Sequence, residues 1–136
     1  MIVAGIGCRR GAPAVAIEVA IGAALAECGL ERAAIDALAT TVDKADEPGL
    51  RRVADDWSLP LIVVSLDDQR RASAGALTTS ARVQALKGVP SVAETAALAA
   101  AGVGARLLCA RVTRVQAVCA IAISDGPAPA RPGDAT

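Results

Sequence analysis

Directly behind the apolar run Ile2-Val3-Ala4 stand Gly5-Ile6-Gly7-Cys8-Arg9-Arg10-Gly11, and a long Ala/Val/Ile stretch follows. That order predicts a strand, a glycine-rich turn and a helix. Such a turn bares backbone N–H groups at a helix N-terminus, where the helix dipole favours anions. Arg9 and Arg10 add guanidinium groups that grip a carboxylate or phosphate with two parallel hydrogen bonds. Gly7, Cys8, Arg9, Arg10 and Gly11 are therefore candidate ligand-binding residues for an anion, against the plainer reading of a tight turn with solvated arginines.

A second charged segment, Asp43-Lys44-Ala45-Asp46-Glu47, follows the second apolar run. Asp46 and Glu47 fit an ordinary acidic loop ahead of a helix, where negative charge is stabilised by ~0.3–1 kcal/mol. Lys44 fits that less well, because a cation ahead of a helix N-terminus opposes the dipole. Facing an anionic ligand, it makes better sense. A third segment, Lys87-Gly88-Val89-Pro90-Ser91-Val92-Ala93-Glu94, contains a capping box, which by itself explains Ser91 and Glu94. The turn also imitates a dinucleotide fingerprint, with Asp43 as the ribose-binding acid. But Arg10 stands where the third glycine is needed, and no second mononucleotide half follows.

The elements that must position these groups read as alternating strands and helices. Strands are expected over Ile2 to Ile6, Ile35 to Thr41 and Leu59 to Leu66, the last apolar throughout, as a strand covered on both sides should be. A helix from Pro13 to Cys28 has Pro in its first turn and Gly29 just past its end. A second runs from Pro48 to Trp57. These form two right-handed βαβ crossovers with helices expected on both faces. Asp67 to Pro90 is polar and reads as short helices and loops. Ser91 to Gly102 is a further helix. Arg106 to Ala110 and Ala117 to Ser124 read as an antiparallel hairpin turning near Thr113-Arg114.

The expected fold is thus a three-layer α/β/α sandwich around a mixed five-stranded sheet, with its first three strands parallel and a C-terminal antiparallel hairpin. It forms one domain over residues 1–125, followed by a disordered tail over 126–136. In an open α/β sheet, ligands sit beyond the carboxyl ends of the strands. Arg9, Arg10 and Lys44 all follow such ends, so one crevice can receive them.

Composition narrows the partners. Lys plus Arg and Asp plus Glu number fourteen each among 136 residues, and there is one Trp with no Phe or Tyr. With neither a basic field nor stacking platforms, nucleic acid is not an expected partner. No apolar run is long enough to span a bilayer and no signal-peptide pattern opens the chain, so the expectation is a cytoplasmic protein without a membrane partner. The chain has no histidine. This excludes imidazole metal ligation, Ser–His or Cys–His nucleophile pairs and an imidazole general base. Neither a metal nor a cofactor is expected. The cysteines, Cys8, Cys28, Cys109 and Cys119, form no Cys-x-x-Cys pair. Three lie in apolar stretches as buried thiols, leaving Cys8 as the accessible one.

Taken together, GIGCRRG after the first strand, D-K-x-D-E-x-G-L from Asp43 to Leu50, and G-x-x-S-V-A-E-x-A-A-L from Gly88 to Leu98 resemble the CobE/CbiG C-terminal domain family of cobalamin-biosynthesis proteins. The resemblance runs from Ile2 to Ser124, and lies with the stand-alone CobE type rather than a CbiG fragment. It implies an α/β/α fold with a mixed sheet and a role in corrin-ring formation by the aerobic route. It also implies a precorrin or other tetrapyrrole intermediate as ligand, with other corrin-pathway enzymes as protein partners. Precorrins are flat apolar macrocycles edged with carboxylates. A small-aliphatic cleft rimmed by Arg9, Arg10, Lys44 and Lys87 matches that chemistry. The ligand-binding candidates then comprise Gly7, Cys8, Arg9, Arg10, Gly11, Asp43, Lys44, Glu47, Lys87, Gly88, Ser91 and Glu94. Two functions stay open beside each other. One is a tetrapyrrole-binding protein. The other is an enzyme acting on a precorrin, with lactone opening and loss of a two-carbon fragment as associated with CbiG. There Glu94 or Asp46 would serve as acid/base and Lys44 as an amine forming a transient carbonyl adduct. A nucleotide-binding domain is the more distant alternative.

Overall fold

The computed structural model describes residues 1–79, 92–108 and 111–126. Lys87, Gly88, Ser91, Cys109, the stretch from 80 to 90 and the expected tail beyond residue 126 lie outside the described residues. The chain runs β1 (Ile2–Cys8), α1 (Ala14–Cys28), β2 (Ala37–Thr41), α2 (Pro48–Asp56), β3 (Leu61–Val64), α3 (Leu66–Thr79), α4 (Val92–Ala101), β4 (Arg106–Leu107), β5 (Val112–Thr113) and β6 (Ala117–Ile123). Short 3-10 turns at Arg32–Ala34 and Val42–Lys44 bracket β2.

The sheet has the order β3-β2-β1-β6-β4, with β5 also on β6. β1 to β3 are parallel, and β6 joins β1 antiparallel over its whole length, from Ile2↔Ile123 to Cys8↔Ala117. Among the described residues six strands are present instead of five, because the expected strand at Arg106 to Ala110 pairs with β6 only at Arg106 and Leu107, and a further short strand forms at Val112 and Thr113, where the turn was expected. Arg106 and Leu107 oppose Ile123 and Ala122, while Val112 and Thr113 oppose Cys119 and Val118. The expected antiparallel hairpin is therefore the β5–β6 turn, closed by the Arg114 N–H on the Ala117 carbonyl at 2.8 Å.

Alternation along the strands sorts the core into two sides. Ala4, Ile6, Leu38, Cys119 and Ile121 face α1 and α2, with Ile17, Ile21, Leu50 and Val53 filling the space. Val3, Ala37, Ala39, Val64 and Ala122 face α4, against Ala96, Ala97 and Leu98. Both crossover helices lie on one face, a correction to the expectation that they cover the two faces. Steps from β1 to β2 to β3 go in one direction, and a constant right hand then puts both helices on the same side. The second face is covered by α4 instead, with α3 packed against α4.

The α4 helix is almost all alanine where it meets the sheet, which lets the backbones come close. At Gly5 the approach is so tight that a methyl group would overlap the Ala93 carbonyl oxygen and lie 2.7 Å from the Ala97 nitrogen. β3 is also corrected. Val63 is 44% exposed and the strand forms the sheet edge among the described residues. Its unbroken apolar run reflects a half-covered edge strand, not a central one. Gly29 ends α1 in a left-handed conformation, as expected of a glycine at that position.

Candidate functional site

Each helix on a parallel crossover runs back against its strand, so its N-terminus lies at the strand's carboxyl end. α1, α2 and α3 therefore all begin at one rim of the sheet. α4 joins them: the Ala93 nitrogen lies 3.9 Å from where a side chain on Gly7 would start. Four helix N-termini gather there, each contributing partial positive charge. Neither α1 nor α2 carries an acidic residue in its first turn.

Arg9 and Arg10 are exposed at this rim, and Lys44 is half-buried. Among the described residues the ion pairs are Arg51–Asp46, Arg52–Asp56, Arg71–Asp68 and Arg111–Glu94, so none engages these three cations. The nearby carboxylates are bonded elsewhere. Asp43 accepts the Thr41 hydroxyl at the end of β2. Glu47 precedes α2 but does not cap it; its Oε1 accepts the Gly11 N–H at 2.7 Å. The chain thus places a carboxylate of its own on one amide of the glycine turn.

Two contacts hold this turn in register. The Arg9 N–H donates to the Gln116 carbonyl at 3.0 Å, extending the β1–β6 ladder into the hairpin. On the other side α2 abuts the start of α1 at Gly49, where a methyl group would overlap the Ala12 carbonyl oxygen and lie 3.1 Å from the Ala14 nitrogen. Glycine at position 49 is therefore a packing requirement.

Cys8 ends β1 half-buried. Burial pushes its thiol pKa up, the Glu47 carboxylate pushes it up further, and Lys44 pulls it down. Cys8, Lys44 and Glu47 thus lie within electrostatic reach of one another, and the thiol stays protonated beyond the ordinary thiol range. Cys119 is buried, as expected, but Cys28 is partly exposed, so Cys8 is not the sole accessible thiol.

Of the acid/base candidates, Asp46 has a side chain 99% exposed and meets Arg51 at 3.3 Å. Glu94 sits in the first turn of α4 with its side chain 3% exposed, and its Oε1 accepts from Arg111 Nη1 at 3.0 Å. The structure therefore brings Gly7 to Gly11, Asp43, Lys44 and Glu47 together at one rim and turns the Glu94 carboxylate into an ion pair. Arg111 and Arg114, both on the hairpin arm, were not singled out from the sequence. No local signal marks them: it is the pairing of β1 with β6, seven residues on each strand, that carries the hairpin turn to Arg9. Among the described residues no group of three or more Cys, Asp or Glu side chains forms a metal site, and no helix is long and apolar enough to cross a membrane.

Comparison with known proteins gives one family. The cobalamin synthesis G C-terminus family matches residues 2–122. Protein CobE of a Sinorhizobium species is 29% identical over 130 residues, covering 96% of this chain and 82% of that protein. The crystal structure of cobalamin biosynthesis protein ChiG from Agrobacterium tumefaciens is similar at a TM-score of 0.78 and 42% identity, covering 93% of this chain and all of that one (100%). The crystal structure of CobE, a protein from the cobalamin biosynthetic pathway, is similar at a TM-score of 0.75 and 38% identity, covering 90% of this chain and 89% of that one. With its α/β/α layers, its parallel first three strands and its three spaced motifs, the chain belongs to the cobalamin synthesis G C-terminus family and so to cobalamin biosynthesis.

Proposed function

We propose that the protein binds a precorrin or closely related tetrapyrrole intermediate by its edge carboxylates, at the rim where β1 and β2 end. The observation that carries this reading is that Arg9, Arg10 and Lys44 follow two adjacent strands and pair with no carboxylate among the described residues, while Asp43 accepts the Thr41 hydroxyl and Glu47 the Gly11 N–H. Three free cations beside four helix N-termini favour a ligand with several negative charges. Gly7 and Cys8 stand at the β1 end of the same proposed site, where the Gly11 amide, held by the Glu47 carboxylate, would turn to the ligand, and Lys87, Gly88 and Ser91 belong to it through the family motif. The pathway supplies the ligand class, since corrin precursors carry acetate and propionate groups around a flat ring.

Charge-assisted hydrogen bonds contribute ~1.5–3 kcal/mol each when desolvated. Loss of one arginine is expected to weaken binding about tenfold or more, and affinity is expected to fall as salt rises. The test is to incubate the purified protein with a series of precorrins and separate bound from free pigment. An Arg9→Ala, Arg10→Ala variant that keeps wild-type affinity at every salt concentration overturns the site. Binding of ATP or NAD in place of the pigments would favour a nucleotide domain.

A further inference from the structure

Nine large apolar side chains are exposed among the described residues, and three of them surround the cationic rim: Val42 at 61%, Leu66 at 58% and Val92 at 48%. Single exposed aliphatic residues need no explanation. These three share a location, however, that follows from the sheet register. Gly5 is level with Ala39, and Thr41 with Val64. Continuing the β1–β2 pairing, Gly7, Thr41 and Val64 form one row across three strands, a width of about 10 Å at the usual strand spacing. Val42 comes directly after the end of β2 at that row, and Leu66 opens α3 two residues past the end of β3. Val92 opens α4 above Gly7, since the adjacent Ala93 nitrogen lies 3.9 Å from a Gly7 side-chain position. Lys44 belongs to the same short turn as Val42.

Exposed apolar side chains beside cations that pair with no carboxylate among the described residues suit a ligand that is itself apolar on its face and anionic on its edge. No aromatic residue stands there to stack a nucleobase, because the one tryptophan, Trp57, closes α2 at the opposite end of the molecule. We infer that Val42, Leu66 and Val92 form a platform for the flat face of the macrocycle, while Arg9, Arg10 and Lys44 hold its carboxylates. This rests on the tetrapyrrole reading above and adds the part of the site that recognises the ring rather than its charges.

The test compares the wild-type chain with Val42→Ser, Leu66→Ser, using a metal-free corrinoid polycarboxylate followed by its visible absorbance. Citrate serves as a polycarboxylate without an apolar face. Truncating two side chains that become covered is expected to weaken corrinoid binding by about tenfold or more. Citrate binding, the salt dependence of the corrinoid and the melting temperature are expected to stay at wild-type values. A Val42→Ile, Leu66→Met variant keeps the apolar surface and is expected to keep affinity. Unchanged corrinoid affinity in the serine variant overturns the platform and leaves the cationic site standing. A dimer that the serine variant loses, with corrinoid affinity unchanged, assigns the patch to a second copy of the chain instead. A wild-type chain that binds no corrinoid overturns the tetrapyrrole reading and the platform with it.

Discussion

Arg111, on the arm leading into β5, holds the carboxylate of Glu94 in the first turn of α4 at 3.0 Å, with the glutamate side chain 3% and the arginine side chain 30% exposed. A buried carboxylate is tolerated only when its charge is met, and removing its charged partner weakens that compensation. Arg111→Ala is therefore expected to destabilise the fold by about 2–3 kcal/mol, less than for a fully buried pair because the arginine is partly solvated. Glu94→Gln keeps an acceptor for Arg111 and removes the buried charge, so it is expected to change stability by under about 1 kcal/mol. Urea denaturation of the two variants checks the order. An Arg111→Ala variant as stable as Glu94→Gln would show that the pair does not secure α4. If Glu94 also acts on a ligand, the stable Gln variant is expected to fail in corrin-ring synthesis in cells.

Backbone contact at Gly5 and Gly49 gives a second expectation. A methyl group at either position meets backbone atoms that cannot rotate away. Overpacking of this kind costs typically ~1–3 kcal/mol. Gly5→Ala is expected to reach or exceed the upper figure, since α4 must lift from the sheet. Gly49→Ala is expected to cost about 2 kcal/mol and also to displace the Gly11 turn. Thermal melts and binding measurements on the two variants separate a core defect from a site defect. Gly49→Ala should lose more affinity than Gly5→Ala for equal loss of stability.

Much of this architecture was legible from apolar spacing and from Gly and Pro at element ends: the first three strands, α1 with its Gly29 stop, and α4 before Gly102. What the spacing did not carry is which strand lies beside which. The pairing of β6 with β1 is a contact over more than a hundred residues, and no local pattern encodes it. For the same reason the split edge of β4 and β5, and the place of Arg111 and Arg114, were not foreseen. The exposed Val63 misled in the opposite way, because an unbroken β-branched run reads alike at a sheet edge and a sheet centre. At the site, residue types identified Arg9, Arg10 and Lys44. They could not show that Glu47 already sits on the Gly11 amide, since that bond joins two loops through space.

Cys8 supplies a pH dependence. Its thiol pKa is raised by burial first and by Glu47 second, and lowered by Lys44. A group whose folded pKa exceeds its unfolded value contributes stability that is fully present below the unfolded value, about 8.5 for a thiol. That contribution is lost as pH rises through the folded value. Stability is therefore expected to decline above about pH 8.5 in the wild-type chain and less so in Cys8→Ala. Alkylation of Cys8 by iodoacetamide should be slow near neutrality. Glu47→Gln should bring its onset to lower pH and Lys44→Ala should move it higher. Onsets that do not move with either substitution would show that neither charge acts on the thiol.

Glu47 sets the last expectation, and its sign distinguishes two readings of the glycine turn. Its carboxylate accepts the Gly11 N–H at 2.7 Å, in the position a bound anion would take, and it adds negative charge beside Lys44 and Cys8. If the turn is only structural, Glu47→Ala removes a surface hydrogen bond and lowers stability by about 1 kcal/mol, with no gain elsewhere. If the turn receives ligand carboxylates, the same substitution frees an amide and removes a competitor. Affinity for a tetrapyrrole polycarboxylate is then expected to rise about threefold to tenfold at low salt, and the gain should shrink as salt screens the exposed charges. Glu47→Gln should show a smaller gain, because its side-chain oxygen still competes for the amide without the charge. Titration of the corrinoid pigment into the wild-type chain and both variants, at two ionic strengths, measures all three terms. Weaker binding in Glu47→Ala than in the wild type would mean that Glu47 supports the ligand instead of standing in for it.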